Sequence, residues 1–190
     1  MPLARIPALK EGAVHGDPAL PAAIYTLHAN QAGCFVPYHW HHEFELSYVH
    51  AGNFVLETDF ASVTMQEGDI SFLAPAHLHK ALLPPGGTCR VTFIVFHADL
   101  LYDARRESRP LRELASGILL PQLHFSAASP VGTALKSDVE GLCRLLRERP
   151  NFHEIGTRAA LLSFCHTLLS EGAYTKAEKG MDTGGKRLGQ

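Results

Sequence analysis

Tyr38-His39-Trp40-His41-His42-Glu43-Phe44-Glu45-Leu46-Ser47-Tyr48-Val49-His50-Ala51-Gly52 is the stretch on which the fold turns. Three histidines and two carboxylates fall within residues 39–45, and an apolar run closing on Gly52 follows. A second histidine pair stands in Pro75-Ala76-His77-Leu78-His79. The chain holds twelve histidines, and six of them fall between His39 and His79. In an extended strand successive side chains alternate faces. His39 and His41 are therefore expected on one side, with Trp40 and His42 on the other. A sharp bend before the next strand would return Glu45 to the side of the two imidazoles. His77 and His79, again two apart, are expected to face one way on another strand. Imidazole nitrogens with a carboxylate suit a divalent transition metal. His39, His41, Glu45 and His79 thus form a candidate three-His, one-Glu site. The plainer alternative is a hydrogen-bonded polar cluster lining a cavity.

Outward from this stretch, short strand patterns recur with turn signals between them. They cover residues 22–28, 34–41, 44–50, 54–58, 61–66, 70–74, 77–82 and 90–97. Gly52, Gly68-Asp69 and Pro84-Pro85-Gly86-Gly87 mark breaks. Short strands at this spacing point to a mainly β sandwich or barrel. Residues 1–21 read as an irregular arm with one short edge strand at 13–16. The pattern changes at Ala98. A helical turn is expected within 99–107, a helix over 109–116 stopped by Gly117, and an extra strand in 117–125. Ser129-Pro130 has the form of a helix start. Val131, Leu135, Val139, Leu142 and Leu146 then make one apolar stripe to about Arg149. Asn151-Phe152-His153-Glu154 reads as a capping box opening a second helix to about Glu171. The stripe of that helix is Ile155, Ala159, Leu162, Phe164, Cys165, Leu168 and Leu169, and the two helices are expected to pack antiparallel. Residues 173–190 read as a polar linker.

Bulk properties exclude several classes. The chain has 190 residues, 46% of them hydrophobic, which is enough for one domain with a real core and an appendage. A net charge of -2 leaves no surplus of Lys and Arg for general nucleic-acid binding. No run of apolar residues is long enough for a membrane span. Cys34, Cys89, Cys143 and Cys165 are scattered, as expected of free thiols in a reducing, cytoplasmic setting. Neither a nucleophile triad nor a nucleotide-binding loop is present.

His39-x-His41-x3-Glu45-x6-Gly52, then Gly68-Asp69 and Pro75-x3-His79, resembles the two motifs of the cupin superfamily. His77 stands where the second motif has glycine. The wording His-Trp-His-x-Glu-Phe-Glu-Leu-x-Tyr-Val, Glu-Gly-Asp-Ile-x-Phe-Leu-x-Pro and Val-x-Phe-Ile-Val-Phe is similar to the effector-binding domain of AraC-type transcriptional regulators. That resemblance, carried by residues 22–98, implies a cupin double-stranded β-helix (a jelly-roll barrel) followed by a C-terminal antiparallel helix pair. It implies a barrel with its arm over 1–98, a helical dimerisation region over 99–172 and a linker over 173–190. The expected function is sensing of a small polar metabolite, without catalysis, by His39, His41, Glu45, His79 and the neighbouring Phe93. A divalent ion (Zn, Ni, Mn or Fe) is the candidate cofactor. The implied partners are the effector and a second copy, with DNA reached only through a further domain that would begin after Gln190. The rival expectation is a metal-dependent cupin enzyme, a small dioxygenase or isomerase, using the same four ligands.

Overall fold

The computed structural model describes residues 7–101 and 108–177. Seven strands come first: β1 (Ala22–Ala29), β2 (Gly33–His39), β3 (Phe44–Thr58), β4 (Ser62–Gln66), β5 (Ile70–Leu73), β6 (His79–Leu83) and β7 (Cys89–Phe96). Helix α1 (Arg109–Ala115) and the short strands β8 (Leu119–Pro121) and β9 (His124–Phe125) follow. The long helices α2 (Pro130–Glu148) and α3 (His153–Ser170) and strand β10 (Tyr174–Lys176) complete the chain.

All pairings between these strands are antiparallel. One layer runs β1-β7-β3-β5-β9, and the second contains β2, β6 and β4. β3 belongs to both. Its first part pairs with β7 and β5, and residues 53–58 pair with β4 and β6. Here the structure corrects the expected turn at Ala51-Gly52-Asn53, because the strand continues through it. The register slips between Val49 and Ala51, and Gly52 adopts φ +73. A bulge of this kind bends a strand and raises its twist, carrying it from one layer into the next.

β3 is buried from Phe44 to Val49 on both faces, so its sequence is apolar without strict alternation. Phe44, Leu46 and Tyr48 face a core shared with α2 and α3. The opposite face looks between the two layers, where Val49, Phe54, Leu56, Met65, Val91 and Phe93 pack. Phe44 stacks on Phe72 at 5.3 Å and on Phe96 at 5.4 Å, and Phe164 of α3 meets Phe72 edge-on at 5.2 Å. Each such buried ring contributes about 1.5–3 kcal/mol by apolar burial.

The helices start and stop largely as their residues dictate. The Ser129 hydroxyl accepts from Gly132 N at 2.9 Å. In the expected α2 stripe Leu135, Val139, Leu142 and Leu146 are buried, and Val131 is partly buried. The α3 start differs. Its N-cap is Phe152 at φ 63, with no side-chain cap, so the capping box does not form. His153 N and Nδ1 instead both donate to the Pro150 carbonyl, at 3.0 and 3.1 Å. The α3 stripe splits as well: Phe164, Cys165 and Leu168 are buried, while Ile155 is 70% exposed. The extra strand expected in 117–125 is two, β8 and β9, with β9 on β5. The segment expected as a linker opens with β10, which pairs with β8. No edge strand forms at 13–16; among the described residues the arm makes one isolated backbone bridge, Lys10–Trp40, besides its side-chain contacts. The helical turn expected within 99–107 falls partly outside the described residues, and a 3-10 turn covers Ala98–Leu100. The four cysteines are free thiols, Cys34 exposed and the other three buried.

Candidate metal centre

β2 ends at His39 and β6 begins at His79, and the two residues are direct partners across the ladder. The bend of residues 40–43 brings the His41 ring to 5.6 Å from His39 and 5.2 Å from His79, and β3 brings up Glu45, which lines the cavity. The bend is held by Ala76 N donating to the His41 carbonyl at 2.8 Å, with Ala76 in the left-handed region at φ 67. The expected strand over 34–41 stops at His39, so the bend, and not strand alternation, brings His41 to His39 and Glu45. His79 joins them, but His77 does not. It lies before β6 begins, its Nδ1 lies 3.2 Å from Asp59 Oδ1, and the two-apart pattern never operates as a strand. Trp40 is buried under the Lys10 ammonium, consistent with a packing role.

One ligand atom from each of His39, His41, Glu45 and His79 lies within 4.8 Å of the other three. Each imidazole spends Nδ1 on a backbone carbonyl: His39 on Pro37 at 2.9 Å, His41 on Glu43 at 3.2 Å, and His79 on His77 at 2.9 Å. With the proton on Nδ1, the Nε2 lone pairs are left available, which is how neutral histidines are oriented as metal ligands. His41 Nε2 and His79 Nε2 each stand 3.5 Å from a Glu45 carboxylate oxygen. Both nitrogens are buried without a hydrogen-bond partner among the described residues. Orphaned buried polar atoms are uncommon and call for an explanation. Donor atoms around one ion with bonds near 2.0–2.2 Å lie roughly 3–4 Å apart, and the two separations of 3.5 Å from Glu45 fall in that range. Three imidazoles and one carboxylate also match the donor preference of Zn, Ni, Mn and Fe.

Charge follows the same geometry. Burial opposes the Glu45 carboxylate, but the His79 and His41 imidazoles hold it well below the usual carboxylate range. For His79, burial pulls downward and the Glu45 charge overrides it, leaving a net rise. His39 is pulled down by burial and by His79.

His39, Glu45 and His79 line one wall of a cavity of about 200 Å³, while His41 is buried and is not among its lining residues. Phe93, Val95, Leu56 and Leu27 supply an apolar wall, so Phe93 lies where the sequence reading put it. Tyr25, inside the first expected strand, also lines it, as do two residues that the strand patterns missed, Glu11 and His15. His15, only 6% exposed, shares a 3.0 Å hydrogen bond with the Tyr25 hydroxyl and lies 3.2 Å from Glu11 Oε2 through Nε2. The one signal that could have found them is a histidine and a glutamate four apart in an otherwise unpatterned arm.

The family model described as "AraC-like ligand binding domain" matches residues 21–164. No curated protein matches the sequence. Among solved structures the chain is similar to a cupin protein from Bacteroides fragilis (18% identity, 43% of this chain and 70% of that one, TM-score 0.40). It is also similar to an RmlC-like cupin from Shewanella frigidimarina (20% identity, 40% and 65% covered, TM-score 0.36). A third is the polyketide cyclase RemF from Streptomyces resistomycificus (19% identity, TM-score 0.36), where the likeness covers 40% of this chain and 54% of the cyclase, about half its length. With the family model matching well over half of its length, the chain belongs to the AraC-like ligand binding domain family.

Proposed function

We propose that this chain is the sensing domain of a transcriptional regulator, and that it binds a small polar metabolite beside a divalent metal held by His39, His41, Glu45 and His79. The observation that carries this reading is the pair of orphaned imidazole nitrogens of His41 and His79 beside the Glu45 carboxylate, with His39, Glu45 and His79 in the wall of a cavity of about 200 Å³. That volume lies below the usual range for drug-sized ligands, so the effector is a small metabolite. When bound, the ion would supply a cationic centre for an oxygen of the effector. The residues of the chain do the rest: Glu45 stays ionised, the backbone carbonyls keep the imidazole tautomers fixed, and Phe93 excludes water from one wall.

The signal has a short route outward. Glu45 and Tyr48 share β3 but face opposite ways; Tyr48 donates to Glu140 of α2 at 3.1 Å. A ligand that favours one arrangement of β3 thereby biases the helices, by the differential affinity that any population shift requires. The outer side of α3 carries Phe152, Ile155, Ala159 and Leu162, spaced as a coiled-coil seam, with Phe152 76% and Ile155 70% exposed. This seam supports a homodimer through the helices, with DNA contact left to a further, cytoplasmic helix-turn-helix domain of the regulator.

Isothermal titration with Zn²⁺ and elemental analysis test the metal. One equivalent is expected in the wild type, with a loss of about 100-fold or more in affinity for His79→Ala. Equal binding by both proteins would sink the assignment. A metal-dependent enzyme remains the second reading, because the cavity beside the cluster would admit a substrate as readily as an effector. Turnover by the metal-loaded protein would favour it.

A further inference from the structure

Strand register grades the polarity of the cavity along its length. His39 of β2 pairs with His79 of β6, and Glu45 of β3 pairs with Val95 of β7. The three clustered donors that line the cavity lie in these two pairs. One step of two residues away, the lining changes character. On β6, Ala81 stands between Val36 of β2 and Leu56 of β3; on β7, Phe93 stands opposite Tyr25 of β1. Two residues of strand span about 7 Å. Within that distance the lining passes from imidazole and carboxylate to the apolar core between the layers, to which Leu56, Ala81 and Phe93 belong and against which Val36 packs. The other polar side chains of the lining are engaged with partners. The Tyr25 hydroxyl is 3.0 Å from His15 Nδ1, and His15 Nε2 is 3.2 Å from Glu11 Oε2. The Lys80 ammonium meets Glu57 Oε2 at 2.6 Å and lies over the Tyr38 ring. A ligand with hydroxyls along its whole length, such as a sugar, would set its far ones against Val36, Leu56 and Phe93 without partners, a loss of about tenfold in affinity for each.

We propose that the effector of this cavity is an amphipathic monocarboxylate, with its carboxylate at the His39/Glu45/His79 end and a short hydrocarbon body along Val36, Leu56, Ala81 and Phe93. The inference rests on the metal reading of the four-residue centre, and it narrows the small polar metabolite to one whose polarity is confined to a single end. A divalent ion held by neutral imidazoles and one carboxylate keeps one positive charge. A second carboxylate, brought by the ligand, neutralises that charge; a sugar or an amine does not. The other end of the cavity is walled by hydrocarbon and rewards a ligand that is hydrocarbon there.

The test is titration calorimetry on the Zn²⁺-loaded protein with acetate, butyrate and hexanoate, and with D-ribose as a competitor. Affinity is expected to rise about fourfold with each methylene buried, and ribose should not displace hexanoate. Val36→Thr keeps the branched shape of the side chain and sets a hydroxyl beside the hydrocarbon body. It should cut hexanoate affinity about tenfold while one equivalent of Zn²⁺ still binds. Equal affinities along the series, no binding of any of the three acids, or displacement of hexanoate by ribose, each with one equivalent of Zn²⁺ bound, would overturn the amphipathic effector and leave the metal centre standing. A Val36→Thr protein that holds hexanoate as tightly as the wild type would overturn the placement of the body. Failure of the wild type to take up Zn²⁺ would overturn both the effector and the metal.

Discussion

An ideal Cβ on Gly52 would lie 1.8 Å from the Thr88 carbonyl oxygen, and the residue sits at φ +73. Both constraints act where β3 passes between layers, so the position has no slack. Gly52→Ala is expected to destabilise the protein by about 3 kcal/mol or more, from backbone clash plus left-handed strain, measurable as a shift in urea midpoint. A second left-handed residue, Ala76, has no such excuse of size, and its position next to the His41 carbonyl shows what holds it there. At this scale the site was half legible. Spacing pointed to His39, His41 and Glu45, but the strand ends at His39 and a bend, which alternation does not describe, carries His41 to the others. It failed for His77, since the bend ahead of β6 leaves that residue off the ladder. It was silent on Glu11 and His15, which belong to no periodic element and are brought to the cavity by long-range contacts such as the bridge from Lys10 to Trp40 and the His15–Tyr25 hydrogen bond.

Single elements carry the connections between cavity and helices. Asp69, 3% exposed, accepts from Gln66 N at 2.9 Å, Ala127 N at 2.9 Å and His124 Nε2 at 2.8 Å. Read from sequence it was a turn residue, and it is one; it also ties the β4–β5 turn to the segment leading into α2. Tyr48 does the same from β3. Burial, then the Glu140 carboxylate, push its phenol up to about 12. The raised value means that the folded state keeps a proton the unfolded chain gives up. The contribution is therefore complete below the ordinary value of 10.0 and is lost as pH climbs toward 12. Thermal unfolding of wild type and Tyr48→Phe should converge over that window, the wild type losing about 1–2 kcal/mol relative to the variant. Parallel curves would show that the Tyr48–Glu140 contact carries no such linkage. Helix periods were readable for α2, whose stripe faces one core. The α3 pattern was not separable into two faces by spacing alone, since it is apolar both toward the sheet and away from it.

Across the whole molecule the layers run outer sheet, inner sheet, helix pair, with β3 common to both sheets and one core continuous from sheet to helices. The cupin-type architecture was legible because short strands, turn glycines and the helical change at Ala98 agree with one another. What the pattern missed were the division of the strand expected in 117–125 into β8 and β9, and β10, segments of two or three residues whose pairing is decided by their neighbours and not by their own propensity. The exposed seam of α3 belongs to this scale as well. Sedimentation is expected to find a dimer in the wild type, with the dissociation constant raised at least about 30-fold (~2 kcal/mol) by Ile155→Glu. An unchanged dimer in that variant would move the interface elsewhere.

The partnership of β1 with β7 joins Ala22 to Phe96, and the four-residue cluster draws on β2, β3 and β6 with the bend between them. Such contacts are distant along the chain, and distant contacts form slowly because loop closure must precede their reward. The last imidazole, His79, falls into line only once β6 has zipped onto both β2 and β3. A growing polypeptide therefore offers no competent centre until its β architecture is complete. Capture of an ion would mark the end of folding, and a half-made chain would have nothing with which to report an effector.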